Sequence, residues 1–131
     1  DGSLQAEIPY KEDRLIEGTT EYKQSGELVE NNQRITFELD DYFKSENKYL
    51  LKIRLAEKPK KVEFFEEKIS TEGTRILVPI KTNESNTGII EYRVPKGSMI
   101  KNVVKIFATY DTKLGNPAMI SKSYNLVIQN K

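Results

Sequence analysis

The chain has 131 residues, with 21 Lys+Arg against 20 Asp+Glu and a net charge of +1. It contains no cysteine, histidine or tryptophan, which excludes disulfides and thiolate metal sites and removes both the commonest general base and the commonest metal ligand. A balanced surface of this kind steers neither nucleic acid nor an anionic membrane surface, and no apolar run approaches the roughly 18 residues that a membrane helix needs.

Hydrophobic residues recur with period two, the signature of half-buried strands. The first residues, starting Asp1-Gly2-Ser3, read as the start of an excised or mature segment, and flanking domains of a longer chain are expected. Residues 1–12 are patternless apart from Ile8-Pro9-Tyr10, a linker or short edge strand. Ser25-Gly26 and Asn31-Asn32 mark turns. Ile35, Phe37 and Leu39 then share one face of a strand. Asp40 resembles a helix N-cap, so Asp40-Asp41-Tyr42-Phe43-Lys44 is expected to form one short helical turn. Tyr49, Leu51, Ile53 and Leu55 alternate with Lys52 and Arg54 in the clearest strand of the chain; a helix would scatter the four apolar residues around its circumference. Lys58, Lys60 and Lys61 surround Pro59 and are flanked by Glu57, Glu63, Glu66 and Glu67, which reads as a solvated turn of mixed charge.

Val62-Glu63-Phe64-Phe65 opens the next strand. Ile76, Val78 and Ile80 follow, and Pro79 among them implies an edge position. Ile90 to Val94 alternates until Pro95 and Gly97 stop it. Val103 to Tyr110 is nearly all apolar and reads as a central strand. Leu114-Gly115-Asn116-Pro117 is a turn, and Tyr124, Leu126 and Ile128 form the inward face of the last strand. Turn residues punctuate these runs at roughly 10–15-residue intervals, as in sandwiches. The expected fold is all-β: a single domain over residues 1–131, an antiparallel β-sandwich of about seven to nine strands. A closed barrel fits the same pattern.

One stretch carries a family resemblance. Ile90-Glu91-Tyr92-Arg93-Val94-Pro95, then Val104 to Asp111, then Gly115-Asn116, then Ser123-Tyr124-Asn125-Leu126-Val127-Ile128 resemble the closing strands of bacterial immunoglobulin-like modules of surface and secreted proteins. The resemblance covers the C-terminal third and lacks the disulfide and buried tryptophan of antibody-type domains. It implies an immunoglobulin-like sandwich module in a longer surface or secreted chain of the Gram-positive type, extracellular or at the cell surface. From the residue types themselves no catalytic residues and no cofactor are expected, and the expected partner is a protein or polysaccharide. Some such sandwiches carry a Lys–Asn isopeptide bond. Here Lys105 and Asn125, with Glu38 or Glu91, would be the candidates, and both Lys105 and Asn125 alternate out of the inward set.

Other chemistry is weighed residue by residue. Asp40-Asp41 and Glu66-Glu67 are sequence neighbours, which a strand sends to opposite faces, so neither pair forms a carboxylate dyad. Ser121 and Lys122 diverge for the same reason. Asp40, Asp41, Asp111 and Asn116 are hard oxygen donors that a calcium ion would accept, but they lack EF-hand spacing, and closing their own turns explains them. Tyr42, Phe43 and Tyr110 are the aromatic residues least explained by strand phase and are the candidate ligand-binding residues. The expected function is a non-catalytic structural or adhesion module of a larger bacterial surface or secreted protein. The alternatives are a carbohydrate-binding module attached to an enzyme and a self-assembling pilin, fibre or phage-tail subunit.

Overall fold

A computed structural model describes residues 5–11, 14–23, 27–29, 32–43 and 46–131. Among them the regular structure is strand, without a helix. The strands are β1 (Gln5–Glu7), β2 (Tyr10–Lys11), β3 (Arg14–Leu15), β4 (Thr20–Tyr22), β5 (Ile35–Phe43), β6 (Lys48–Leu55), β7 (Val62–Ile69), β8 (Arg75–Ile80), β9 (Gly88–Arg93), β10 (Met99–Asp111) and β11 (Pro117–Gln129). All pairings are antiparallel. One sheet has the order β11-β10-β7-β8, another β5-β6-β9, and β1-β4 and β2-β3 form two small ribbons. No barrel closes: β8 and β11 remain the outer strands of the larger sheet, β5 and β9 of the smaller.

Alternation builds the core as the sequence pattern requires. In β6, Tyr49, Leu51, Ile53 and Leu55 are buried and the residues between them are partly exposed. Register sets Leu39 and Ile90 on either side of Leu51, and Phe37 and Gly88 on either side of Ile53. From the larger sheet come Val62 and Phe64 of β7, Val104, Ile106, Ala108 and Tyr110 of β10, and Ala118, Leu126 and Ile128 of β11, all in the same buried cluster. Each fully buried Leu, Ile or Phe contributes about 1.5–3 kcal/mol relative to exposure. Tyr124 packs on this cluster with its ring 4.9 Å from that of Phe37.

Connections hold the two sheets together. After β8 the chain leaves the larger sheet: Ile89 N–H donates to the Lys81 carbonyl at 3.0 Å, and Thr82 bridges Gly88 on the smaller one. Asn83 closes that loop by accepting from the backbone N–H groups of Ser85 (2.9 Å) and Thr87 (3.1 Å), the side-chain turn that favours Asn in loops. At the other end of the strands, the Asn130 side chain is 4% exposed. Its amide donates to Asn47 Oδ1 and to the Val94 carbonyl, both at 2.8 Å. Asn47 itself sits at φ 60°, a region in which Asn is enriched.

Two expectations need revision. Asp40 to Phe43 are not a helical turn but the last part of β5, with an irregularity in register between Asp40 and Phe43. Asp40 does not cap anything there: its carboxylate takes the Lys52 ammonium at 3.2 Å across the strand pair, and Lys44 lies outside the described residues. Strands β3 and β4 lie where the sequence pattern shows no periodicity, because two- and three-residue strands are too short to display one. Residues 5–7 and 10–11, within the stretch read as linker or edge, are themselves strands.

The core gives graded mutational expectations. Leu51→Ala, at a site with no exposure, is expected to cost about 2–5 kcal/mol. Gly88→Ala would set a Cβ 3.0 Å from Phe64 Cδ2 and 3.3 Å from its Cγ, an overpacking cost of about 1–3 kcal/mol. Val103→Ala, at a position 62% exposed, should stay within about 0.5 kcal/mol. Urea midpoints at unchanged slope measure all three; equal midpoints for Leu51→Ala and Val103→Ala would contradict the assigned strand phase.

Tyr92 supplies a pH dependence. Burial beside the core, and secondly the Glu66 carboxylate, push its phenol from 10.0 up to about 12. An unfolded chain releases that proton near pH 10 and the folded chain near pH 12. Between these values the folded state holds more protons, so stability, complete below pH 10, falls as pH rises. The slope is bounded by about 1.4 kcal/mol per pH unit and is smaller here, because the ring is only partly buried and solvent screens it. Tyr92→Phe should remove this component from an alkaline denaturation series; an unchanged series would refute the assignment.

Candidate functional site

At the end of the sheets where β6 passes to β7 and β10 turns into β11, a cleft of about 600 Å³ opens. Its walls are the loop 56–61, the turn 112–115, Val29, Asn32 and Gln33 ahead of β5, and Glu21 of β4, with Tyr110 and Asp111 at the end of β10.

Each wall is fixed by local chemistry. The Gln33 side chain copies a strand partner: its Oε1 accepts from the Glu57 N–H at 2.8 Å and its Nε2 donates to the Glu57 carbonyl at 2.7 Å. Ala56 N–H also donates to the Arg34 carbonyl at 2.8 Å, so the 56–61 loop leaves β6 in one direction. In the opposite wall, Thr112 N–H donates to the Asn116 carbonyl (2.8 Å) and Gly115 N–H to the Thr112 carbonyl (2.9 Å). Gly115 takes φ 86°, which only glycine adopts freely.

Glu21 joins the N-terminal segment to this turn. Its side chain belongs to a residue only 7% exposed, and an unpartnered carboxylate there would be costly. Its Oε2 accepts from Thr112 Oγ1 at 2.6 Å and from Asn116 Nδ2 at 2.5 Å; such charge-assisted bonds are about twice as strong as neutral ones. Thr19 Oγ1 donates to the Pro117 carbonyl at 2.7 Å, so two residues of the N-terminal segment, Thr19 and Glu21, grip the same hairpin end.

The electrostatic character comes from lysines. Lys58, Lys60 and Lys61 of one loop and Lys113 of the other line the cleft. Lys113 lies 3.7 Å from the Glu57 carboxylate. No carboxylate of the described residues stands within 4.0 Å of the other three ammonium groups. A smaller hollow on the far side of Pro59 shares Lys58 and Pro59 with the cleft and adds Arg54.

The residues singled out from sequence fall in different places. Tyr110 lines the cleft but is 6% exposed, opposite Val62 and Ala118; its ring is part of the core and offers the cleft an edge. Asp111 stands on the cleft wall, and the Asn116 amide is occupied by Glu21. Asp40 pairs with Lys52, and Asp41 is exposed on β5, five or more residues from the cleft end of that strand. The four oxygen donors are thus split between the two sheets, and among the described residues no group of three acidic side chains stands ready for a metal. Tyr42 and Phe43 belong to β5 by their backbone, and their side chains lie outside the described ones. Lys105 and Asn125 alternate away from the core on the larger sheet, whereas Glu38 and Glu91 alternate away from it on the smaller, so no isopeptide triad assembles. Glu66 and Glu67 diverge as expected: Glu66 adjoins Tyr92, while Glu67 takes Arg75 at 3.0 Å.

Sequence reasoning missed Glu21 and the clustering of Lys113 with the 58–61 lysines. The basic run was visible and read as a solvated turn; its convergence with a turn about 50 residues later is a product of strand order. No family model, no curated relative and no solved structure matches this chain.

Glu21→Ala should destabilise the fold by about 1–3 kcal/mol, since it leaves Thr112 and Asn116 without their acceptor. Hydrogen exchange should rise together at residues 20–22 and 112–116. Faster exchange at 20–22 alone would show that the carboxylate does not hold the turn.

Proposed function

We propose that this chain is a non-catalytic structural or adhesion module of a larger extracellular bacterial protein, an immunoglobulin-like sandwich that meets its ligand through one end. The carrying observation is where the cleft sits relative to strand order. Numbered from β5, the seven long strands fall as first-second-fifth in one sheet and fourth-third-sixth-seventh in the other. The reading is supported by the order of constant-type immunoglobulin domains, from which this one differs in the sheet that takes the fourth strand. The cleft walls are the loops between the second and third and between the sixth and seventh strands. In variable immunoglobulin domains the corresponding loops carry recognition. A sandwich suits the role because its end loops can vary while the core holds them in place.

A second reading, a carbohydrate-binding module, is favoured by one feature of the larger sheet. Phe65 and Phe107 stand opposite each other in register on its outer face, between Pro79 and Ser121, and the Lys105 ammonium lies 5.2 Å from the centre of the Phe107 ring. Aromatic rings on a sheet face are a platform for sugar rings.

Binding of the 131-residue chain to immobilised matrix proteins, cell-wall preparations and neutral and acidic polysaccharides separates the two. The first reading expects saturable binding to one ligand that weakens roughly tenfold in Lys113→Gln/Leu114→Ala, a loss of about 1.4 kcal/mol, and is unaffected by Phe107→Ala. The opposite pattern of variants supports the sheet-face reading. Chemical conversion of the bound ligand, or concentration-dependent oligomers in sedimentation, would overturn the proposal.

A further inference from the structure

We propose that the cleft between the 56–61 loop and the 112–115 turn is a binding site for a short acidic oligosaccharide, its carboxylate or sulfate groups held by Lys58, Lys60 and Lys61. This deepens the module reading and rests on it.

Three observations select that chemistry. The first is charge disposition. Of the three acids on the cleft, two are engaged: Glu21 is buried and takes two hydrogen bonds, and Glu57 faces Lys113, while Asp111 stands exposed on the wall, so the lining keeps four lysines against three acids. Lys58, Lys60 and Lys61 of one loop have no carboxylate partner within 4.0 Å among the described residues, and like charges on one short loop are eased by a bound anion. The second is the apolar share of the lining. Val29, Pro59 and Leu114 intersperse with the lysines, so the C–H face of a sugar ring meets apolar surface while its charged substituents meet ammonium groups. The volume, about 600 Å³, lies within the roughly 300–1,000 Å³ of ordinary ligand sites.

The third observation is what the lining holds among the described residues. No arginine stands on the cleft, so the planar fork that grips phosphate in two bonds is not offered there. Its one aromatic residue, Tyr110, is 6% exposed and gives no face for a nucleobase to stack on. Lysines are compact point charges on flexible stems, suited to single carboxylate or sulfate groups spaced along a sugar chain. The hollow beyond Pro59, sharing Lys58 and adding Arg54, gives a longer chain a second cationic step.

Calorimetric titration of the 131-residue chain tests this with four probes of matched length: a uronate oligosaccharide, a sulfated oligosaccharide, a neutral oligosaccharide and inorganic polyphosphate. Binding to one or both acidic saccharides is expected, and which of the two binds identifies carboxylate or sulfate as the group read. Affinity should fall with added salt, because the lysines are exposed and screened. Lys58→Gln/Lys60→Gln/Lys61→Gln should weaken it roughly tenfold or more, since each exposed charge pair contributes up to about fivefold. Lys101→Gln, at the opposite end of β10, should leave affinity unchanged. The substituted lysines are all exposed, so the variants keep the fold, which circular dichroism checks. Equal binding of the neutral oligosaccharide, equal effects of the triple and Lys101 variants, polyphosphate binding as tight as either acidic saccharide, or no binding of the acidic saccharides would each overturn the site. Appearance of new reducing ends would instead overturn the non-catalytic reading while leaving the site standing.

Discussion

Antiparallel pairing of β6 with β5 and β9, and of β10 with β7 and β11, forces every second side chain of both central strands toward one interior. Leu51, Ile53, Ile106 and Leu126 meet there with no exposed surface. This alternation is strict because a slip of one residue would turn the whole apolar set of a strand to solvent. The long register of β10 with β11, from Met99 opposite Gln129 to Asp111 opposite Pro117, carries the constraint to both ends of the molecule. The positions of the 112–116 turn, and of Asn130 at the other end, follow from that register.

Because the interior is apolar, the few buried polar groups do the positioning. Asn130 ties the strand-end region of Asn47 and Val94 to the end of β11. Glu21 ties the N-terminal segment to the opposite end of the β10–β11 hairpin. Both side chains are directional where hydrophobic burial is not, and leaving a partner unsatisfied in either place costs more than the bond itself contributes. The open strand edges are managed by other means. β8 carries Arg75 at its start and Pro79, which has no N–H to offer, within it, and Ser121, Lys122, Ser123 and Asn125 make β11 polar along much of its length, which discourages pairing with another chain.

The strands of the two large sheets were legible in the sequence where one face is buried and the other wet. Tyr49 to Leu55 is the clearest case, and Pro79 correctly indicated an outer strand. Legibility failed where the determinant is not periodic. Asp40 has the chemistry of an N-cap, but an ammonium across the strand pair, on Lys52, engages it and β5 continues. Tyr110 looked unexplained at a strand end because its burial depends on Val62 and Ala118, which pairing brings beside it. Lys58, Lys60 and Lys61 were conspicuous as a run, yet nothing local to them indicates that Lys113 and Leu114 will stand across a cleft. Glu21 carried no signal, since a lone glutamate in a patternless segment is ordinarily solvated.

The N-terminal segment is coupled to the cleft it helps to wall. Glu21 lines the cleft and also holds Thr112 and Asn116, while the Glu21 carbonyl accepts from Val29 N–H at 2.7 Å and so sets a third wall residue. Undocking of β4 would therefore remove one wall and release the turn that forms another. A ligand in the cleft that prefers the assembled walls must stabilise the docked segment by the same free energy with which docking strengthens binding. The hydrogen bonds of one buried carboxylate thus link the order of the first strands to the shape of the loop end, without any change in the core between them.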